Sequence, residues 1–493
     1  MSIGIVRHTI VGALLFVTST HVPGLVSAQT TTLPLSAANV HWGYFSKTLD
    51  PVLTVASGTE VVVEMATHHA CDDWDKMIMG DAAMEEIYTW TGDIVGEEFR
   101  GASGGGDGVH ILTGPIFVED AEPGDILKVE ILDLQPRPNQ DGKTFGSNAA
   151  AWWGFQARVN KADNTPFYAG SFSDTPTQND EIVTIYEIVE ENGQSFAVPS
   201  YQFEWPIMTD PNGVERDYIA YPGTCVPHDT HSITIPSSDV TDMGWTKAGA
   251  ITYYDNVFKA KIPINYHVGC MGLAPASHDF VDSIPPMPTG GNLDNKRIGV
   301  GTTMYYPVEV AGGLISMGDA HAAQGDSELD GTGIETSITG KFKLTVIKQE
   351  DFTASQAVLD FPLGETATDW IIHGFTATDY LETYADNPAA IYNASSIDAA
   401  AKNTFTQTRK FLMAEYDLTE AEAWTIITQG VDFGMTQLVD GNWGVHAIVP
   451  KAMFDLAGPR NTECELDTAS SLANCLVACS MWVLTLVAMA VAL

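Results

Sequence analysis

The 493-residue chain carries 63 acidic and 23 basic residues, for a formal net charge of −40, and 45% of its residues are hydrophobic. This apolar fraction supplies a sizeable core and argues against wholesale disorder, while the negative charge opposes binding to phosphate backbones and anionic lipid head groups. We therefore expect a folded protein whose partner is a small molecule rather than a nucleic acid.

Both ends of the chain have the composition of targeting signals. Arg7 and His8 precede an apolar run that closes with small residues at 26–28, which predicts a signal peptide over residues 1–28. The chain ends in an apolar stretch, 481–493, with small residues upstream of it. This pattern is typical of a GPI-anchor signal, with a hydrophobic tail anchor as the alternative. Both alternatives predict a secreted or cell-surface protein, tethered to the membrane only through residues 459–493.

Between residues 29 and 348 the chain is a series of short β-rich runs separated by proline and glycine. Strands are predicted at 51–55, 60–64, 114–118 and 126–134. Many short strands with turn residues between them favour a sandwich or barrel over βαβ units. We therefore predict a mainly β catalytic region.

Residues 349–458 have a partly helical composition, and we predict that they complete the same unit, which makes the fold α+β overall. Helix-like composition covers 376–385 and 394–416. Thr419 and Glu422 form a capping box that opens a further helix. The inner face of that helix should include Trp424 and Ile427.

Four of the six cysteines lie scattered in the body of the chain, at positions 71, 225, 270 and 464. Four cysteines allow three pairings, and the spacing does not choose among them. The sequence contains no C-x-x-C zinc pattern.

The densest polar cluster is the segment Gly318–Glu328, which follows an apolar run and so lies at the end of a strand. Asp319 and His321 are two residues apart, and in an extended backbone both side chains lie on one face. The same argument applies to Asp326 and Glu328. Carboxylates and an imidazole suit zinc or a similar divalent ion, which lowers the pKa of bound water toward ~7. The alternative is a calcium-stabilised or merely solvated acidic loop.

Two other polar segments are candidates for the same site. His68 and His69 are adjacent, and neighbouring residues of a strand point to opposite faces, so at most one of them should face a shared site. The segment Gly290–Lys296 places Asn292 and Asp294 in a turn that its glycines permit. These side chains either orient a substrate or only knit the loop together.

Several segments, in order along the chain, match motifs of one known family. They are Thr113–Val118, Glu122–Leu127, Pro285–Pro286, Gly290–Lys296, Gly318–Glu328, Gly331–Glu335 and Val431–His446. By these segments the chain resembles the acetamidase/formamidase family from about residue 35 to residue 456. The resemblance implies a mainly β fold, homo-oligomeric assembly, and hydrolysis of a small aliphatic carboxamide such as formamide or acetamide to ammonia and a carboxylate.

The resemblance also implies that the Asp319–Glu328 cluster is functional and favours one of the two adjacent histidines as a site residue. The predicted metal ligands are His68, His69, Asp319, His321 and Asp326, holding zinc or, alternatively, calcium. The predicted catalytic residues are Asp319, His321, Glu328 and Glu335, with one of the two glutamates as general acid–base. The predicted substrate-binding residues are Asn292, Asp294 and Gln324.

Two other functions fit the same sequence. A surface-anchored binding or adhesion protein could keep the fold without catalysis, and the anchor-like tail motivates this alternative. A metal-buffering module would bind calcium and turn over no amide. The intact Asp319–Glu328 cluster favours the hydrolase.

Overall fold

A computed structural model describes the chain in ten segments. They are residues 30–88, 108–150, 154–155, 182–204, 208–209, 215–216, 246–247, 253–254, 259–358 and 360–455. The chain divides into two compact units, Met1–Pro450 and Lys451–Leu493. Of the second unit only residues 451–455 are described, and they contain a 3-10 turn at Lys451–Phe454.

The predicted signal peptide (1–28) and anchor region (459–493) lie outside the described residues. Among the helices that are described, none combines the length and apolar character needed to cross a bilayer. Export and tethering therefore stay predictions.

The first unit is mainly β, as the sequence predicts. In the described part of the chain its largest sheet has nine strands. Their spatial order is β1 (Thr30–Leu33), β5 (Thr59–Met65), β21 (Ile338–Ile347), β7 (Ile126–Pro136), β19 (Thr303–Pro307), β22 (Leu363–Glu365), β23 (Asp369–Phe375), β25 (Gly444–Pro450) and β24 (Asp432–Gln437). Neighbouring strands are antiparallel except for the parallel pair β1 and β5.

A second large sheet carries the polar cluster. Its strands are β18 (Gly290–Asn292), β16 (His267–Gly272), β20 (Ile315–His321), β6 (Ile111–Val118), β2 (Val40–Trp42) and β4 (Leu53–Val55), the last of which pairs with β6. The described residues also form three smaller sheets. The first contains β8 (Thr144–Ala150), β9 (Ile182–Glu191), β10 (Gln194–Glu204), β14 (Tyr253–Tyr254) and β15 (Ile262–Pro263). The second contains β11 (Met208–Thr209), β12 (Glu215–Arg216) and β13 (Thr246–Lys247), and the third pairs β3 (Tyr44–Phe45) with β17 (Val281–Asp282).

One hydrophobic core joins the two large sheets. Val61 and Val63 project into it from β5, because side chains two apart on a strand share a face. Met271 of β16 and Met317 of β20 enter the same core from the second sheet. This sheet-on-sheet packing holds the ends of β5 and β20 in a fixed relation, and the polar cluster lies where those ends meet.

The helices lie mostly in the last third. Those of the described residues are α1 (Trp74–Met77), α2 (Ala82–Tyr88), α3 (Tyr380–Thr383), α4 (Ile391–Ala394), α5 (Ile397–Glu415) and α6 (Glu420–Gly430), with 3-10 turns at Ala37–Asn39, Ala70–Asp73, Gln349–Asp351, Gln356–Val358 and Pro388–Ala390. The long helix α5 lies within the predicted segment 394–416 and packs on β23 and β25. The predicted helix at 376–385 is a single turn, α3, because the chain leaves β23 only at Phe375.

The capping box of α6 is present, since Thr419 and Glu422 bond reciprocally to each other's backbone. The prediction that Trp424 lies on the inner face is wrong: its side chain is 49% exposed. The buried stripe of this helix is narrow and consists of Ala423 and Ile427, four residues apart.

Candidate active site

The polar cluster forms where β20 ends against the loop that follows β5. Asp319 and His321 lie in the last three residues of β20, and both are buried. His68 enters from the loop after β5, and His110 stands immediately before β6. Glu335 lies just before β21 and pairs with His321 as an isolated bridge. Segments that are far apart in sequence thus bring imidazoles and carboxylates together in one buried cluster.

Asp319 is the centre of this cluster. Its Oδ1 lies 3.6 Å from Nδ1 of His68 and 3.4 Å from Nε2 of His321. Its Oδ2 lies 3.7 Å from Nε2 of His110. On the other side of His321, Oε1 of Glu335 lies 3.0 Å from the same Nε2. The side chain of Asp319 therefore joins three imidazoles, and His321 links it to a second carboxylate.

In the described residues three sets of donor atoms are close enough together to share an ion, and two of them contain Asp319. One is His68, His110 and Asp319, and the other is Asp319, His321 and Glu335; within each set the donor atoms lie within 4.8 Å of one another. Nδ1 of His68 and Oε2 of Glu335 are buried and have no hydrogen-bond partner among the described residues. Buried polar atoms without partners are costly unless a ligand satisfies them, and imidazole with carboxylate is a donor set that suits zinc. The residues present therefore fit a divalent ion.

Gly269 of β16 leaves the space that this cluster needs. The register pairs Val268 with Ala320 and Cys270 with Gly318, which places Gly269 opposite Asp319. A Cβ at Gly269 would lie 2.5 Å from Oδ2 of Asp319 and 2.5 Å from Oδ1 of Asp294. The two carboxylates therefore face each other across a position where any side chain would collide with both.

A second group of carboxyls lines the cluster. Asp294, His321 and Glu328 offer donor atoms within 4.8 Å of one another, and Asp440, from the loop between β24 and β25, lies within hydrogen-bonding reach of Asp294. All three carboxyl groups are buried, with exposures of 1% for Asp294, 6% for Glu328 and 7% for Asp440.

The backbone is strained at three of the carboxylates. Asp294, Asp319 and Glu328 have φ of 46°, 53° and 46°. Non-glycine residues seldom adopt this left-handed conformation, which persists when the surrounding structure imposes it and which clusters at functional sites. This left-handed backbone conformation orients the three carboxylates toward the cluster.

Burial and charge set the protonation states around Asp319. Burial alone would raise the pKa of Asp319, but the charge of His321, whose own pKa the neighbouring carboxylates Glu335 and Asp319 raise against burial, outweighs it and holds the pKa of Asp319 well below its usual value. Burial lowers the pKa of His68 well below its usual value and also lowers the pKa of His110. The carboxylate is therefore ionised and these two imidazoles are neutral, which are the forms that bind metals.

His267 orients His321. Nδ1 of His267 donates to the carbonyl oxygen of Asn265 at 2.7 Å, and its Nε2 lies 3.1 Å from Nδ1 of His321. Burial lowers the pKa of His267 to about 4, so its Nε2 has a lone pair and accepts from the Nδ1–H of His321. This bond occupies Nδ1 of His321 and leaves Nε2 directed toward Asp319 and Glu335. Partners of this kind fix the tautomer and ring orientation of metal-binding histidines.

Replacing His267 by phenylalanine keeps a buried ring but removes its polar contacts with Asn265, His321 and Gln324. We expect the affinity for zinc to fall about 10- to 100-fold, the usual cost of removing a residue that orients a metal ligand. Competition with a chromophoric chelator measures that affinity. His41→Phe is the matched control, because His41 is also buried, has a pKa lowered by burial to about 4, and bonds to Ser316 instead. Equal losses in both variants would contradict a specific role for His267.

The structure does not bring Asp326 into the cluster. Ser327 and Glu328 have φ of 86° and 46°, so the segment is a left-handed turn rather than a strand, and the predicted shared face does not form. Glu328 turns inward, whereas Asp326 is partly exposed and forms a bidentate pair with Arg297 at 2.8 and 3.1 Å. Burial raises the pKa of Asp326, but Arg297 outweighs this and lowers it overall. Asp326 thus ties the loop of Glu328 to the loop that follows Asp294.

Replacing Asp326 by asparagine distinguishes its ion pair with Arg297 from its predicted role as a metal ligand. We expect the zinc content to stay unchanged and the free energy of unfolding to fall by at most ~1 kcal/mol, as for other partly exposed ion pairs. Elemental analysis and chemical denaturation measure the two quantities. Loss of zinc from the Asp326→Asn variant would indicate that Asp326 is a metal ligand.

The remaining predicted residues lie in or beside the cluster. His68 and His69 follow β5 rather than lying in it, so strand alternation does not separate them, and their ring centroids are 4.5 Å apart. His69 bonds to Asp72 at 2.8 Å. Gln324 supports the loop by donating to the carbonyl oxygen of Asp294. Oδ1 of Asn292 is buried and has no partner among the described residues.

Sequence reasoning missed His110, His267 and Asp440. His110 directly precedes the buried apolar run of β6, and extending the predicted strand at 114–118 toward its start would have pointed to it. Asp440 lies within the matched motif Val431–His446 but has no His, Cys, Asp or Glu within five residues on either side. For His267 we find no signal in the sequence.

The cysteines do not supply a nucleophile in the described part of the chain. Cys270 is a buried free thiol in β16, and burial raises its pKa well above the usual value. Cys71 is disulfide-bonded. Neither provides an accessible thiolate.

Sequence comparisons identify relatives with named activities. A sequence profile of the Acetamidase/Formamidase family matches residues 80–456. The chain is 30% identical over 233 residues to an acetamidase of Mycolicibacterium smegmatis, covering 45% of this chain and 50% of that protein. It is 28% identical over 262 residues to a formamidase of Methylophilus methylotrophus, covering 51% and 55%. The chain thus spans about half the length of the curated relatives it matches.

Solved structures share the fold. An acetamidase from Bacillus halodurans superposes with a TM-score of 0.52 at 20% identity, covering 85% of this chain and 98% of that one. An acetamidase from Yersinia enterocolitica gives a TM-score of 0.54 at 18% identity, covering 88% and 95%. At these identities the likeness establishes the fold alone.

Proposed function

Because the chain belongs to the acetamidase/formamidase family, we propose that it hydrolyses small linear carboxamides, of the formamide and acetamide type, to ammonia and the carboxylate. The overall reaction consumes one water and breaks the C–N bond, so that RCONH2 and H2O give RCOO⁻ and NH4⁺. The observation that carries the proposal is the buried carboxylate of Asp319, which lies within 3.4–3.7 Å of three imidazoles and packs against Gly269.

The proposed metal is zinc. Either His68, His110 and Asp319 or Asp319, His321 and Glu335 would hold it. Each set contains imidazole nitrogen, which favours zinc over calcium, because calcium prefers oxygen ligands alone. When bound, such an ion supplies Lewis acidity, which lowers the pKa of water and polarises a carbonyl group. An amide needs this help because neutral water attacks it very slowly.

The residues around this centre would bind the amide and move protons. Glu328 is buried, and its Oε2 has no partner among the described residues, so it can take a proton from the attacking water and pass it to the leaving nitrogen. Oδ1 of Asn292 is likewise buried and unpaired within the described part of the chain, and it can accept an N–H of the substrate amide. Asp294, which Gln324 supports through its backbone carbonyl, fixes the other side of the substrate.

The charge of the site favours an uncharged substrate. Five buried carboxyl groups meet here, and the cations on the adjoining loop, Lys296 and Arg297, pair with Asp326 instead. The five groups are Asp294, Asp319, Glu328, Glu335 and Asp440. Burial raises the pKa of four of these groups and Asp319 stays ionised, so an amide that carries its own carboxylate would place an anion beside Asp319 and a buried acceptor-rich site.

Ammonia release from formamide and acetamide tests the proposal. We expect the purified protein to turn over at least one of them, to lose this activity after dialysis against a chelator, and to regain it with zinc. Succinamate, an anionic amide, should be a much poorer substrate. Protein that contains zinc and remains folded, yet releases no ammonia from either amide, would contradict the proposal.

A further inference from the structure

We propose that Asp294, Glu328 and Asp440 form an ammonium-binding subsite beside the metal cluster, which receives the amide nitrogen and holds it as ammonium after cleavage. This inference rests on the proposed function, because the proposed reaction produces ammonium at this place. The binding itself depends only on the geometry of the three carboxyl groups.

The three groups converge from separate loops. Asp294 follows β18, Glu328 lies in the turn after β20, and Asp440 lies between β24 and β25. Donor atoms of Asp294 and Glu328 lie within 4.8 Å of each other and of His321, and Asp440 is within hydrogen-bonding reach of Asp294. Oxygens of Asp294 and of Asp319 both approach Gly269 closely. The subsite therefore adjoins the metal cluster directly.

The oxygens of this group lack donors. Apart from the contact between Asp294 and Asp440, both side-chain oxygens of Asp294, Oε2 of Glu328 and Oδ2 of Asp440 are buried and have no hydrogen-bond partner among the described residues. Their residues are each more than nine-tenths buried. A buried group of acceptors without donors is costly, and carboxyl groups in contact require a proton or another donor between them. The arrangement calls for a small cation that carries several hydrogens.

Ammonium meets this requirement. It presents four N–H donors and one positive charge, and charge-assisted bonds from N–H to carboxylate are the strongest that a buried site can form. His321 borders the subsite on the Asp319 side, and the three residues of the subsite themselves offer only carboxyl oxygens. The substrate's carbonyl would then point to the metal cluster and its nitrogen to the three carboxyls, which orients the scissile bond.

Binding of methylammonium to the purified protein tests the subsite without requiring turnover. We expect methylammonium chloride to raise the melting temperature above that in tetramethylammonium chloride at equal ionic strength, because the second cation has the same charge but no N–H. In the amide assay, methylammonium should inhibit competitively. No difference between the two cations in either measurement would overturn the subsite.

Variants connect the effect to the three residues. Asp440→Asn and, separately, Glu328→Gln should each weaken methylammonium binding about tenfold or more, the loss expected for one buried charge-assisted bond. Asp398→Asn is the control, since Asp398 is an exposed carboxylate on α5 paired with Lys402. Undiminished methylammonium binding in both variants, or loss of a second divalent ion from them on elemental analysis, would overturn the proposal.

The outcomes separate this inference from the proposed function. Methylammonium binding without amide turnover would support the ammonium-binding subsite and contradict the proposed amide hydrolysis. Amide turnover without any preference for methylammonium over tetramethylammonium would support the proposed amide hydrolysis and contradict the ammonium-binding subsite.

Discussion

Replacing Asp319 by alanine is expected to lower kcat/KM for amide hydrolysis about a thousandfold or more. Loss of one preorganised electrostatic group in an active site costs ~10²–10³, and Asp319 belongs to two of the three sets of atoms that could hold an ion in the described residues. The same variant should lose its zinc. Ammonia release and elemental analysis of the purified variant measure the two effects.

The control for this variant is another buried carboxylate. Asp125 is 6% exposed and pairs with Lys348 at the turn before β7, where it makes no contact with the cluster. Asp125→Asn should retain zinc and turnover, although it loses some stability. Asp319→Ala with near-normal turnover would remove Asp319 from the catalytic centre.

Replacing Gly269 by alanine is expected to lower kcat/KM at least a hundredfold without adding or removing a functional group. The new methyl carbon would lie 2.5 Å from oxygens of Asp319 and Asp294 and 2.8 Å from the carbonyl oxygen of Asp319. Backbone and strained carboxylates cannot retreat easily, and displacement of reacting groups by about 1 Å can cost ~100-fold. Steady-state kinetics on acetamide or formamide measure the loss.

Gly325→Ala is the matched control for this substitution. Gly325 lies in the loop between Asp319 and Glu328, is exposed, and has no described atom within 4 Å of where the new methyl carbon would lie. It should leave kinetics close to those of the unaltered protein. If Gly269→Ala folds and is as active as Gly325→Ala, the space above Gly269 is not where the substrate or the ion binds.

Local patterns allowed much of the fold to be predicted. Period-2 alternation located β5 and β7 to within a few residues, and the capping box located the start of α6, because these signals depend on neighbouring residues alone. Trp424 was misplaced because composition does not fix how wide a stripe of a helix its neighbours cover, and α6 packs against α5. The position of a strand end is likewise set by tertiary contacts, which is why His68 and His69 leave β5 earlier than expected.

The site was only partly predictable for the same reason. Asp319, His321 and Glu328 stand close together in sequence, so their spacing drew attention to them. His110 and His267 come from other strands, and only the pairing of β16, β20 and β6 brings them beside Asp319. The same-face argument failed for Asp326 because two residues of left-handed backbone interrupt the extended chain there.

The most direct test of a zinc centre built on Asp319 is anomalous diffraction at the zinc edge from crystals of the active protein. Our account predicts a peak at coordination distance, about 2.0–2.3 Å, from the carboxylate of Asp319 and from a nitrogen of His321 or His68. A peak bound elsewhere in the molecule, or active crystals with no peak beside Asp319, would contradict it.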